Sequence, residues 1–193
     1  MKTRLLAAAS VAAAAACGGG SASNSVSGNI QGSPFPVSDT ISGNVTFSTL
    51  TTTTTMGAII MTSSPGSLCS NQTESRQLKN SRRLAISVAD RSGSGTIAAP
   101  AAAGTYAVVD AKVNTTLPKF AWVTYVETDA TCHSIALKQL GGASGTVTVT
   151  TVNSGSYAGS FQITFDNGDK IAGSFSASNC PGLQSSSKPP TCI

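Results

Sequence analysis

Few side chains in this 193-residue chain could do chemistry: five cysteines, one histidine, a tight Asp-Asn-Gly-Asp run and a cluster of arginines. A Ser-His-Asp triad would have to use His133, the only imidazole available. It stands beside Cys132 in a segment of strand character and shares a face with Ile135 and Leu137, the place of a packing residue. No Gly-x-Ser-x-Gly elbow accompanies it. The eight acidic residues form no recognisable carboxylate pair for glycoside hydrolysis. No catalytic residue is therefore assigned, and the chain is not expected to be an enzyme. A hydrolase with an unrecognised site is the third reading.

Cys69, Cys132, Cys180 and Cys192 include no Cys-x-x-Cys pair, and structural zinc sites usually take their ligands in close pairs. Disulfides are the expectation. Asp166-Asn167-Gly168-Asp169 opens like a calcium loop but lacks the further oxygens and closing glutamate such a loop needs, so it reads as a hairpin turn. Neither metal nor cofactor is expected.

Arg76, Lys79, Arg82, Arg83 and Arg91 gather positive charge around one stretch. Such a patch could meet anionic head groups or an acidic polysaccharide, although Glu74 and Asp90 dilute it. Trp122 could offer a platform to a sugar ring. Its neighbours Phe120 and Tyr125, like Tyr106, lie in segments apolar on both faces, which favours packing. Arg76, Lys79, Arg82, Arg83 and Trp122 are the candidate binding residues. Net charge is +4, and two of the cations, Lys2 and Arg4, stand at the very start. That balance is too small to argue for nucleic acid.

These groups need a scaffold and an address. Residues 5–16 are apolar, too short to span a bilayer, and follow the basic Lys2 and Arg4. Ala14-Ala15-Ala16 leads into Cys17, with glycine and serine after it. This start resembles a bacterial lipoprotein signal. The resemblance implies a signal peptide over 1–16, acylation of Cys17 with palmitate-type chains, a tether over 17–25 and anchorage in a membrane. Gly18, where an aspartate could retain a lipoprotein at the inner membrane, points to the outer membrane or cell surface. Setting Cys17 aside leaves an even set of four cysteines, suited to two disulfides in an oxidising compartment. The stretch 181–191 has no strand pattern and would otherwise be a loose tail. Cys180 is therefore expected to pair with Cys192, leaving Cys69 for Cys132.

Residues 26–193 read as one β domain. Hydrophobic residues make up 40% of the chain, which excludes disorder despite the scarcity of charge. Ile41, Val45 and Phe47 alternate with polar residues, as do Leu84, Ile86 and Val88. Segments 104–113 and 119–127 are apolar on both faces, as central strands are. Residues 71–83 are polar and read as a loop with room for a helical turn. Turn signals between the apolar runs indicate eight to ten strands in an antiparallel β-sandwich, or alternatively a closed β-barrel.

The C-terminal meander allows a register. Its odd positions are apolar, including Val147, Val149, Phe161, Phe165, Ile171 and Phe175. A three-residue turn, Asp166-Asn167-Gly168, keeps them on one face and sets Phe161 opposite Gly173 and Gly159 opposite Phe175. A similar turn at Asn153-Ser154-Gly155 would set Val147 opposite Phe161.

The pattern Gly-Ser-Phe-x-x-x-Phe-x-x-Gly-Asp-x-x-x-Gly-Ser-Phe-x-Ala-x-x-Cys over Gly159 to Cys180, with Ala103-Gly104-Thr105-Tyr106, resembles uncharacterised small bacterial lipoproteins. That resemblance implies a fold and an address and supplies no catalytic residues. A lipid-anchored envelope protein of structural or binding role is the resulting expectation. The alternative is a glycan- or protein-binding module using loops at one end of the sandwich, with a glycan or envelope protein as partner.

Overall fold

A computed structural model describes residues 23–48, 53–113, 115–183 and 190–193. The expected signal peptide, Cys17 and most of the expected tether lie outside the described residues. The fold is all-β. The first half comprises β1 (Ser25–Ile30), β2 (Ser33–Pro34), β3 (Asp39–Ser48), β4 (Thr53–Thr62), α1 (Leu68–Thr73), β5 (Arg76–Gln77) and β6 (Arg82–Arg91). The second comprises β7 (Ile97–Ala98), β8 (Gly104–Val108), β9 (Lys119–Thr128), β10 (Ser134–Asn153), β11 (Ser156–Phe165), β12 (Lys170–Asn179) and β13 (Thr191–Cys192). Nine of these strands have five residues or more, within the expected range.

The layers are sandwich-like, and their rims are laced. The main sheet runs β11-β10-β8-β9-β6-β4-β3-β12, and β12 also pairs β11. One edge of β12 meets β11 along most of its length. The other is shared between β1, antiparallel over Ile171–Ser174, and β3, parallel at Ser178 and Asn179. The hydrogen-bonded path thus returns to its start, which leaves few open edges on the main sheet.

Alternation along each strand builds the core between the layers. Ile59 and Met61 of β4, Leu84, Ile86 and Val88 of β6, and Val123 and Tyr125 of β9 face Val147, Tyr157, Phe161, Phe165 and Phe175. The expected register of the meander is present: Ile163 opposes Ile171, Phe161 opposes Gly173, Gly159 opposes Phe175, and Val147 opposes Phe161. Gly168 has φ +89°, and the Phe165 N–H donates to the Asp169 carbonyl across the three-residue turn.

The preceding hairpin reaches its register differently. Asn153 pairs Ser156 around a two-residue turn, in which Ser154 and Gly155 both have positive φ. A bulge between Val149 and Thr151 then restores the parity that an odd-length turn would have supplied. Segment 104–113 also departs from expectation, because its strand ends at Val108. Asp110 turns the chain there, accepting from the Lys112 N–H through Oδ1 and from the Val113 N–H through its carbonyl.

The Asp166–Asp169 turn uses its carboxylates as braces. Asp166 Oδ2 accepts from the Gly141 N–H at 3.2 Å. Asp169 Oδ2 accepts from the Gln31 N–H at 2.6 Å and from Asn167 Nδ2 at 2.8 Å. The Gln31 and Asn167 bonds hold the Asp169 carboxyl below the usual aspartate range. The sign follows from linkage: its stabilisation is complete above the unfolded value near 4 and is lost as pH falls through the lower folded value. Asp169→Asn is therefore expected to reduce the loss of stability on acidification from about pH 7 to about pH 3, read as the shift in urea midpoint. An equal shift in variant and parent would show that these bonds do not link proton uptake to folding.

Candidate functional site

The outer face of β3, β4 and β6 is apolar as well. Ile41, Val45, Ala58 and Ile60 form a second core there, covered by Leu68 of α1 and by Cys180 and Leu183 beyond β12. Helix α1 is short, and its capping residue Ser67 makes no side-chain cap. Instead Asp39 Oδ2 accepts from the Leu68 N–H at 3.0 Å, and a disulfide fastens Cys69 to Cys180. The second disulfide joins Cys132 to Cys192.

Both bonds correct the expected pairing of Cys69 with Cys132 and Cys180 with Cys192. The physical reason is the path of the chain. Cys180 is held beside β3, its N–H donating to the Ser42 carbonyl, where it packs into the second core. Cys192 sits in β13, which pairs β5 in parallel. The two ends of the 181–191 stretch are thereby committed to different neighbours.

Between α1, β5 and the outer face of the sheet lies a cleft of about 330 Å³. Thr62, Arg83 and Val126 line its sheet side, while Leu68, Leu78 and Pro190 supply apolar wall. The floor hydroxyls are occupied. Thr128 Oγ1 donates to the Leu78 carbonyl at 2.6 Å and accepts from the Ser81 N–H at 3.0 Å. Thr62 and Ser81 share a hydroxyl contact at 3.3 Å. In contrast, the side chains of Asn71, Gln72 and Gln77, which also line the cleft, have no hydrogen-bond partner among the described residues. The Arg83 guanidinium likewise has neither ion pair nor hydrogen bond among them. Solvent reaches it through the mouth, while the surrounding protein lowers its pKa by desolvation.

The five candidate binding residues do not form one site. Arg76 joins Arg83 in the cleft, but its Nη2 lies 2.6 Å from Glu74 Oε2, so its charge is met. Arg82 precedes Arg83 in β6 and must point to the opposite face; its guanidinium sits 5.7 Å from the Phe35 ring centroid. Lys79 is exposed and outside the cleft. Trp122 lies elsewhere on the outer face, half-buried against Phe120 at 5.3 Å between ring centroids. Its Nε1–H is buried without a partner among the described residues. Tyr106, Tyr125 and Tyr157 are buried, so none of the three offers a flat platform to a sugar.

His133 is exposed in the turn before β10, not within a strand. Its Nδ1 contacts Thr131 Oγ1 at 2.8 Å, while Asp129 Oδ1 accepts from the Thr131 hydroxyl and from the His133 backbone N–H. The carboxylate thus braces the turn and does not orient the imidazole, which is the arrangement a triad requires.

Asn71, Gln72 and Gln77 line the candidate site, and composition alone did not single them out. Their only signal was membership of the polar stretch 71–83. Leu78 and Pro190 had none, because the β5–β13 pairing that brings them together involves only two residues on each side. No family model, no curated protein and no solved structure matches the chain.

Proposed function

We propose that this is an exported, lipid-anchored protein of the bacterial envelope, outer membrane or cell surface, that works by binding and not by catalysis. The observation that carries the reading is cysteine use. Cys69, Cys132, Cys180 and Cys192 are all engaged in disulfides, bonds that oxidising compartments sustain. Cys17 is the one cysteine outside both pairs, in the position where acylation would anchor the chain. The cleft supports binding over catalysis. Its unpartnered groups are one guanidinium and three neutral amides, and no carboxylate or imidazole lines it among the described residues.

Cells expressing the full chain and fed an alkyne-tagged fatty acid test the anchor. The parent is expected to take up label and enter the detergent phase on partition, and Cys17→Ser is expected to do neither. Each buried methylene contributes about 0.8 kcal/mol, so the loss of several acyl chains should be all-or-none in this assay. Equal labelling and partition of the two forms would overturn the lipid anchor.

A further inference from the structure

Among the described residues the cleft carries one uncompensated charge, that of Arg83. Arg83 is a planar guanidinium with five donors, suited to bidentate capture of a carboxylate. The other arginine at the cleft, Arg76, is already neutralised by Glu74 at 2.6 Å, and Arg82 faces the opposite side of the sheet against Phe35. Among the described residues, one free cation matches one negative charge. A dianionic phosphate or a densely charged polymer would find no second free cation among the described residues of the cleft.

The neighbours of Arg83 describe the rest of the ligand. Asn71, Gln72 and Gln77 each present an amide oxygen that accepts and an amide nitrogen that donates. A sugar hydroxyl also donates and accepts, so vicinal hydroxyls satisfy such amides in pairs. A peptide end spreads one N–H and one C=O over each ~3.5 Å of chain, a sparser set than the vicinal hydroxyls of a sugar ring. Leu78, Val126 and Pro190 form an apolar wall against which the C–H face of a ring can lie. A cleft of about 330 Å³ is at the small end of ligand sites, the size for one or two sugar rings.

We infer that this cleft binds a carboxylated sugar of the uronic acid class, with Arg83 on the carboxylate and Asn71, Gln72 and Gln77 on the hydroxyls. The inference rests on the binding role proposed above and is independent of the lipid anchor. Both disulfides stand at its margins: Cys69–Cys180 holds α1, and Cys132–Cys192 holds the β5–β13 pair. The walls are therefore set before the ligand arrives.

Ligand-observed NMR titration of the full chain in detergent, with the singly charged methyl galactosiduronate, its methyl ester and the peptide trialanine, tests it. The uronate is expected to bind at least about tenfold more tightly than the ester, the scale of one lost charge-assisted contact. Arg83→Gln should abolish that preference, Arg83→Lys should keep part of it, and Arg76→Gln should leave most of it. Arg83 is solvent-accessible, so its variants should melt with the parent and yield the same disulfide peptides. Equal binding of acid and ester, an acid preference that survives Arg83→Gln, or tighter binding of trialanine overturns the uronate assignment while the binding role stands. Failure of all three probes overturns the assignment and removes the cleft as the seat of that role.

Discussion

Replacing Cys69 and Cys180 together by alanine is expected to lower the free energy of unfolding by about 4–5 kcal/mol, the upper part of the range for a single cross-link. The bond spans 111 residues, so its loss returns most of the domain's chain freedom to the unfolded state. It also releases α1, which lacks a side-chain cap and relies on this bond and on Asp39. The Cys132–Cys192 bond spans 60 residues, and the same model gives about 4 kcal/mol for its loss. Urea unfolding of each double variant measures the effect. Peptide mapping without reductant should return a Cys69–Cys180 and a Cys132–Cys192 peptide. A Cys180–Cys192 peptide would contradict the fold around the cleft. Loss of either bond should also weaken any ligand of the cleft, because each holds one wall.

Phe161→Ala is expected to cost about 3–5 kcal/mol, the range for emptying a fully packed aromatic site. Phe161 is 2% exposed and lies over Gly173 across the strand pair. A Cβ built on Gly173 would come within 2.6 Å of Phe161 Cζ, so the ring rests almost on bare backbone. Phe175 lies over Gly159 in the same way, with 2.9 Å from the corresponding Cβ to Phe175 Cζ. A glycine has no side chain that could move into the vacated space, which places the effect at the high end of the range. Leu137→Ala is the control. Leu137 is 91% exposed, and its removal should change stability by no more than about 0.5 kcal/mol. Similar losses for the two variants would refute the covered-glycine packing.

Phe161 and Cys180 show where sequence reading succeeds and where it stops. The register around Phe161 was legible because a strand alternates with period two, and a slip of one residue would bury serine and threonine in place of phenylalanine. Only one parity of the Asp166–Gly168 turn was compatible with that pattern, and it is the one present. The neighbouring hairpin had two physically equivalent solutions, an odd turn or an even turn with a bulge. Hydrophobic alternation cannot tell them apart, because both leave Val147 opposite Phe161.

The partners of the cysteines were not legible in the same way. Ring-closure entropy favours neither connectivity strongly, since it grows only with the logarithm of loop length. What decided the pairing was the parallel contact of β12 with β3 and of β13 with β5, each two residues long. Contacts that short leave no period in a sequence. The arginines divide for a similar reason. Arg82 and Arg83 are adjacent in the chain, but the strand sends them to opposite faces, and only the covering of one face by α1 makes Arg83 part of a cleft.

By itself, then, the sequence determined an all-β domain, the buried face of its C-terminal meander and the register of the β11–β12 hairpin, because those follow from local alternation and turn geometry. The disulfide partners, the second core beneath α1 and the cleft around Arg83 were decided only in the tertiary structure. They depend on which distant segments meet on the outer face of the sheet, and there single contacts between remote residues outweigh any local pattern.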